Sequence, residues 1–173
     1  MDVAELDALP PEAFVAAVAP WFEGAPRFLA RLAAARPFRD EPTLFARAAE
    51  IAGSMPEPDQ LELIEAHPRL GAPPGSVSEA SFREQGYDRE TTEAIADLAR
   101  LNAAYEARFG FRFCVFVDGR SRTELGPVLA AALDADRAAE IQRAIGDVVA
   151  IARDRSRKQP AAVAAVAAHG ADG

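Results

Sequence analysis

The chain has 173 residues, half of them hydrophobic and 27% charged, which suits one globular domain with a substantial core. Its net charge of −8 argues against nucleic acid and anionic membranes as partners, because both repel an acidic surface. Cys114 is the only cysteine, so an internal disulfide is excluded. The sequence offers neither a signal peptide nor an apolar run of about 18 residues, and we therefore expect a cytoplasmic protein.

The first part of the chain has a helical period of hydrophobic residues, and prolines and capping residues divide it. Four helices are predicted there. They begin at Pro11, at Pro26, after Thr43 as N-cap, and at Gln60, and the fourth ends at Ala66.

The second part continues the helical pattern with one interruption. A helix is predicted from Ser76 or Ser78, and the longest periodic run follows it. The later elements are a helix from Glu90 to Phe109, a short extended apolar segment from Phe111 to Val117, a helix from Arg122 to Leu133 and a last helix from Asp136 to about Arg157. The prediction is an all-α, single-domain helical bundle of about seven or eight helices with one short extended segment.

Low complexity sets the end of the chain apart from this bundle. From Pro160 the sequence is AAVAAVAAHGADG, which has too little variety of side chains to predict a packed structure. We expect a helical domain over residues 1–158 and a disordered alanine-rich tail over residues 159–173.

The small number of histidines restricts which residue could transfer protons near neutral pH. Only two histidines are present, and His169 lies in the tail, which leaves His67. Pro68 is expected to give His67 extended backbone angles. The negative end of the preceding helix would favour the imidazolium form, which suits a general acid. The alternative is a histidine that only caps the last helical carbonyls.

A second candidate group is Ser81-Phe82-Arg83-Glu84-Gln85. Ser81, Glu84 and Gln85 share one helix face, where a hydroxyl, a carboxylate and an amide together could bind a urea-like group. The alternative is structural, because Ser-x-x-Glu is also a capping box.

Basic residues near the end of the last helix are a third candidate. Arg153 or Arg155 could clamp a substrate carboxylate, but residues two apart point in different directions, so at most one should face a site. The alternative is a solvated basic end, with Arg157 and Lys158, that complements the helix dipole. Arg120 and Arg122 are further candidates of the same kind. No metal-ligand cluster or glycine-rich phosphate loop is present in the sequence.

Five segments, in order, resemble one family, the 2-oxo-4-hydroxy-4-carboxy-5-ureidoimidazoline (OHCU) decarboxylases. They are WFEGAPRFLARLAAARPF (21–38), LIEAHPRLG (63–71), SFREQ (81–85), LNAAYEARFGFRFCVFV (101–117) and IARDR (151–155). The resemblance implies an all-α, cofactor-free and metal-free homodimer that converts the small molecule OHCU, formed during urate degradation, to (S)-allantoin and carbon dioxide.

The same resemblance implies the residues of the site. The catalytic residues would be His67, Glu84 and Arg155, with Arg153 in place of Arg155 if the alignment shifts by two. The substrate-binding residues would be Pro68, Ser81, Gln85 and, through their backbone, Phe113, Cys114, Val115, Phe116 and Val117. The chain departs from the family pattern at Arg112, where proline is usual.

Two other functions remain alternatives at this stage. A paralogous enzyme could keep the scaffold and act on another ureido- or hydroxy-acid. A non-enzymatic helical interaction module could use His67 only to end a helix, and that histidine would then be exposed.

Overall fold

A computed structural model describes residues 2–71 and 92–158 of the chain. The predicted helix that begins at Ser76 or Ser78 and the tail over residues 159–173 lie outside these residues. Within the described ranges the regular structure consists of α-helices and one 3-10 turn, without strands, which confirms the all-α prediction. The elements are α1 (Val3–Ala8), α2 (Pro11–Val18), the 3-10 turn (Ala19–Phe22), α3 (Pro26–Ala34), α4 (Glu41–Ser54), α5 (Glu57–Ala66), α6 (Thr92–Phe109), α7 (Arg122–Ala132) and α8 (Arg137–Lys158).

The start of α4 differs from the prediction, and Thr43 is not its N-cap. Asp40 takes that position with extended backbone angles, and its carboxylate accepts a hydrogen bond from the Thr43 N–H at 2.7 Å. The helix can therefore begin at Glu41, because its proline lies in the first turn, where no helical hydrogen bond is lost.

The start of α5 also differs from the predicted Gln60. The helix begins three residues earlier, at Glu57. Its first turn contains a proline, but the N–H that proline lacks would have no helical partner at that position. Gln60 lies inside α5 and donates to the Ala52 and Gly53 carbonyls, at 3.1 and 2.9 Å, where α4 ends. This contact joins α5 to the end of α4.

Helix α8 is the element around which much of the bundle is built. It packs against α4, α5 and the 3-10 turn. Fully buried alanines occur on both helices of the α4–α8 pair, Ala48 and Ala52 on α4 and Ala144 and Ala152 on α8. Small side chains let two helix backbones approach closely, so the position of α8 is set by tight packing.

The apolar segment (residues 111–117) connects α6 to the turn that precedes α7. Phe111 and Phe113 are buried and meet the Tyr105 ring edge-on, at centroid distances of 5.6 and 5.2 Å. The segment ends at Asp118 and Gly119, which both have positive φ. Aromatic packing thus holds the side chains of this non-helical stretch in the core.

No helix in the described ranges combines the length and the apolar character that a membrane crossing requires.

Candidate active site

His67 lies at the C-terminal end of α5, where Pro68 stops the helix. Its backbone is extended, with φ −77° and ψ 140°, which confirms the angles predicted from the proline. The side chain is only 3% exposed. Its Nδ1 lies 3.2 Å from the Leu63 carbonyl oxygen. Because a carbonyl can only accept, Nδ1 is the protonated nitrogen and donates this bond, which leaves Nε2 with a lone pair.

The other ring nitrogen of His67 is a buried proton acceptor. Its Nε2 is inaccessible to solvent and forms no hydrogen bond with any residue that the structure describes. Buried polar atoms without a partner are uncommon in folded proteins and suggest a place for a ligand or water. His67 is therefore oriented by one nitrogen and available through the other.

Arg155 of α8 lies beside this histidine and is itself buried, at 2% exposure. Its Nη2 is 2.9 Å from Glu23 Oε1, and its Nη1 donates to the Pro20 carbonyl at 3.3 Å. Arg153 is exposed instead, with its guanidinium over the Phe45 ring at 5.3 Å. Of the two arginines, it is Arg155 that points into the protein near His67.

The pKa of His67 is lowered to about 4. Burial is the main cause, because it penalises the charged ring, and the positive charge of Arg155 adds to it. Glu23 and the Leu63 carbonyl act in the opposite direction. The expectation that the helix end would favour the imidazolium is therefore wrong: the weak helix-end effect is outweighed, and the ring is neutral at pH 7.

Glu23 lies together with His67 and Arg155, but the sequence did not predict it as a site residue. It ends the 3-10 turn with φ 53°, and Gly24 follows with φ 79°. A left-handed backbone is unfavourable for a residue with a side chain, so this conformation needs compensation from its surroundings. The ion pair with Arg155 provides one. The only signal in the sequence is a single acidic residue after the buried Trp21 and Phe22.

The structure describes only some of the remaining predicted site residues. Ser81, Glu84 and Gln85 lie outside the described residues. Pro68 is half-buried directly after His67.

The apolar segment is buried through most of its side chains, with Phe113, Cys114, Val115 and Val117 in the core and Phe116 half-buried. A hollow of about 150 Å³ lies along its end, lined by residues 115–119 and by Ile151, Asp154 and Lys158 of α8. His67 and Arg155 do not line this hollow, although Asp154 directly precedes Arg155.

The other basic candidates have structural partners. Arg120 donates to the Val117 carbonyl at 3.0 Å and also to the Phe116 carbonyl. Arg122 is buried at the start of α7, whereas Arg157 is exposed and paired with Glu41. Lys158 pairs with Asp154, one turn earlier in α8. In the part of the chain that the structure describes, no group of three His, Cys, Asp or Glu side chains could hold a metal ion.

The buried histidine predicts how stability depends on pH. With a pKa of about 4 in the folded state and about 6.5 unfolded, the unfolded chain binds the proton first as the pH falls. The free energy of unfolding should therefore decrease between pH 6.5 and 4, by about 3 kcal/mol from this residue. His67→Asn removes the titration, so urea unfolding across this range should show a shallower pH dependence. Parallel curves for the two proteins would contradict this assignment.

A comparison with models of protein families gives a match over nearly the whole described part of the chain. The model of the OHCU decarboxylases matches residues 7–157. The chain belongs to this family.

Individual relatives agree with the family match. The OHCU decarboxylase of Amia calva is 31% identical over 161 residues, which are 90% of this chain and 92% of that protein. The uric acid degradation bifunctional protein PucL of Bacillus subtilis is 34% identical over 137 residues. That match takes in 78% of this chain, which spans only about a quarter of PucL (28%) and of the bifunctional protein of Bacillus sp. TB-90 (24%).

Solved structures show the same fold at low sequence identity. An OHCU decarboxylase crystallised in the presence of (S)-allantoin superposes with a TM-score of 0.67 at 22% identity, covering 87% of this chain and 97% of that one. An (S)-allantoin synthase gives a TM-score of 0.68 at 20% identity, over 91% and 54% of the two chains. The arrangement of helices in this family member is therefore that of known family structures.

Proposed function

We propose that this protein decarboxylates OHCU to (S)-allantoin and carbon dioxide in urate degradation. The observation that carries the proposal is the buried, neutral His67 beside Arg155, with Nε2 free of described partners, in a member of the OHCU decarboxylase family. A paired imidazole acceptor and guanidinium suit a substrate that has both a hydroxyl and a carboxylate.

In the proposed reaction His67 moves a proton. The bond to the carboxylate breaks and carbon dioxide leaves, while the electron pair stays in the conjugated ring of the substrate. His67 Nε2 accepts the proton of the substrate hydroxyl and returns a proton to the ring carbon that becomes the stereocentre. A proton from water neutralises the negative charge that remains on the ring after neutral carbon dioxide has left. One fixed imidazole delivers this proton to one face, which accounts for a single enantiomer.

Arg155 would orient the substrate carboxylate and compensate its charge. An anion bound beside Arg155 also offsets the positive potential that lowers the pKa of His67, so substrate binding makes His67 a better proton acceptor. Glu84 and Gln85 would bind the ureido and ring groups, and Ser81 would add a hydrogen bond. Pro68 and the backbone of the apolar segment would complete the pocket.

The proposal extends to the whole protein. Residues 1–158 form the catalytic domain, and residues 159–173 form a disordered alanine-rich tail. The enzyme needs no cofactor, works as a homodimer and is located in the cytoplasm.

The burial of His67 bears on the alternative functions. An interaction module that uses this histidine only to end a helix predicts an exposed ring, whereas the side chain is 3% exposed. A paralogous enzyme would keep the same buried group, so only the choice of substrate separates it from the proposal.

Circular dichroism of (S)-allantoin tests the proposal directly. Freshly generated OHCU should be consumed at least about 10²-fold faster with catalytic amounts of enzyme than by spontaneous decay. Only the enzymatic reaction should leave a circular dichroism signal, because protonation in water gives both enantiomers of allantoin. Since His67 of the protein without substrate is neutral above pH 5, kcat/KM should stay constant from pH 5 to 8. A rate equal to spontaneous decay would refute the proposal and favour another ureido- or hydroxy-acid.

A further inference from the structure

Charged side chains of α8 bind the backbone of the apolar segment. Arg143 donates from Nη1 to the Cys114 carbonyl at 3.0 Å, and its guanidinium lies over the Phe113 ring, 4.6 Å from the centroid. Asp147, one turn further along, accepts from Arg143 Nη1 at 2.7 Å and from the Phe116 N–H. Two backbone positions of the segment are thus held by one ion pair.

Glu140 and Tyr105 hold Arg143 of this ion pair in place. Arg143 Nε donates to both carboxylate oxygens of Glu140 at 3.0 Å, and the Tyr105 hydroxyl donates to Glu140 Oε2 at 2.7 Å. Glu140 is 3% exposed. Burial and the bond to Glu140 raise the pKa of Tyr105, so its hydroxyl remains a donor. Burying such charges is costly, and the proposed catalytic steps do not use them.

Arginines hold both ends of the same segment, one by binding the end of α5 and the other by binding the segment's own backbone. Arg112 donates to the Glu65 carbonyl at 3.0 Å and to the His67 carbonyl at 3.4 Å, which links the segment to the end of α5. Arg120 binds the carbonyls at the other end, as described above. Buried backbone groups need partners, and no strand in the described ranges supplies them.

We propose that Arg143 and Asp147 are positioning residues that fix the apolar segment as one wall of the substrate site. The inference rests on the proposed function for the identity of the substrate. Its structural basis is separate: the segment that this pair holds is also linked through Arg112 to the backbone carbonyl of His67. An apolar stretch without sheet partners would otherwise adopt several conformations, and the pocket would lose its shape.

Arg143→Lys tests the proposal with two readouts. Lysine keeps the charge, but one ammonium group cannot bind Cys114, Glu140 and Asp147 in the geometry of the guanidinium. Cys114, the only cysteine, reports local opening through its reaction with a thiol reagent in native buffer. We expect this reaction to become about tenfold faster and KM for OHCU to rise about tenfold, while kcat changes by less than about threefold.

Asp147→Asn is the second variant, and it also serves if Arg143→Lys does not fold. Arg47→Gln is the matched control, because Arg47 forms an exposed ion pair with Glu50 at a similar helical spacing. Unchanged labelling of Cys114 in a folded variant would overturn the proposal, and so would faster labelling with an unchanged KM. Wild-type protein without activity on OHCU would refute the proposed function instead, and labelling would still decide whether Arg143 and Asp147 hold the segment.

Discussion

Replacing His67 with asparagine is expected to lower kcat for OHCU by about 10²–10⁴-fold, the usual contribution of a positioned general acid–base group. Asparagine can still donate to the Leu63 carbonyl from the position of Nδ1, so the end of α5 should keep its conformation. What the variant lacks is the acceptor at Nε2. The measurement is the initial rate of (S)-allantoin formation, followed by circular dichroism at saturating substrate.

The pH profile of the wild-type enzyme separates two roles of the histidine. A neutral acceptor with a pKa near 4 predicts activity that falls only at acidic pH. An imidazolium acting as the acid in the free enzyme predicts activity that falls as the pH rises from 5 to 8. A kcat of His67→Asn within about threefold of wild type would exclude the histidine from the proton transfer in either role.

Replacing Glu23 with glutamine is expected to destabilise the protein by about 3 kcal/mol. The change removes the carboxylate that pairs with the Arg155 guanidinium, which is 2% exposed, and removing one partner of a buried ion pair is costly. It also removes a negative charge that raises the pKa of His67, so that pKa should fall further. Urea unfolding at pH 7 gives the free energy difference.

Two comparisons test the assignment of this effect to the ion pair. Glu50→Gln removes a partner from the exposed pair with Arg47 and should cost less than about 1 kcal/mol. The double variant Glu23→Gln/Arg155→Met should be less destabilised than the sum of the two single variants, because it removes both charges of this pair together. Additive single effects would show that Glu23 stabilises the fold independently of Arg155.

The sequence predicts the helices well because their hydrophobic periods and prolines are local signals. Local signals mislead at two helix starts. The N-cap of α4 is Asp40 and not the predicted Thr43, and α5 begins earlier than predicted. In both helices a proline lies in the first turn, which tolerates it because no helical hydrogen bond is lost there.

The site is predicted less completely because its electrostatics depend on distant residues. The sequence singles out His67, but its protonation state depends on its burial and on Arg155, which lies far along the chain. Glu23 meets Arg155 across 132 positions, and no period or spacing indicates such a contact. For Ser81, Glu84 and Gln85, the shared helix face suggests a binding group and family resemblance assigns the individual roles, and both stay predictions.

The close packing of α8 has a consequence for how this protein can change during evolution. One helix carries Arg143, Asp147 and Arg155. The alanines buried on α4 and α8 pack the two helices so closely that α8 cannot shift. Neither the proposed anion-binding residue nor the proposed positioning residues can be relocated without moving the others. New substrate preferences should therefore arise through exchanges of pocket side chains carried by other parts of the chain, while the α8 framework stays constant.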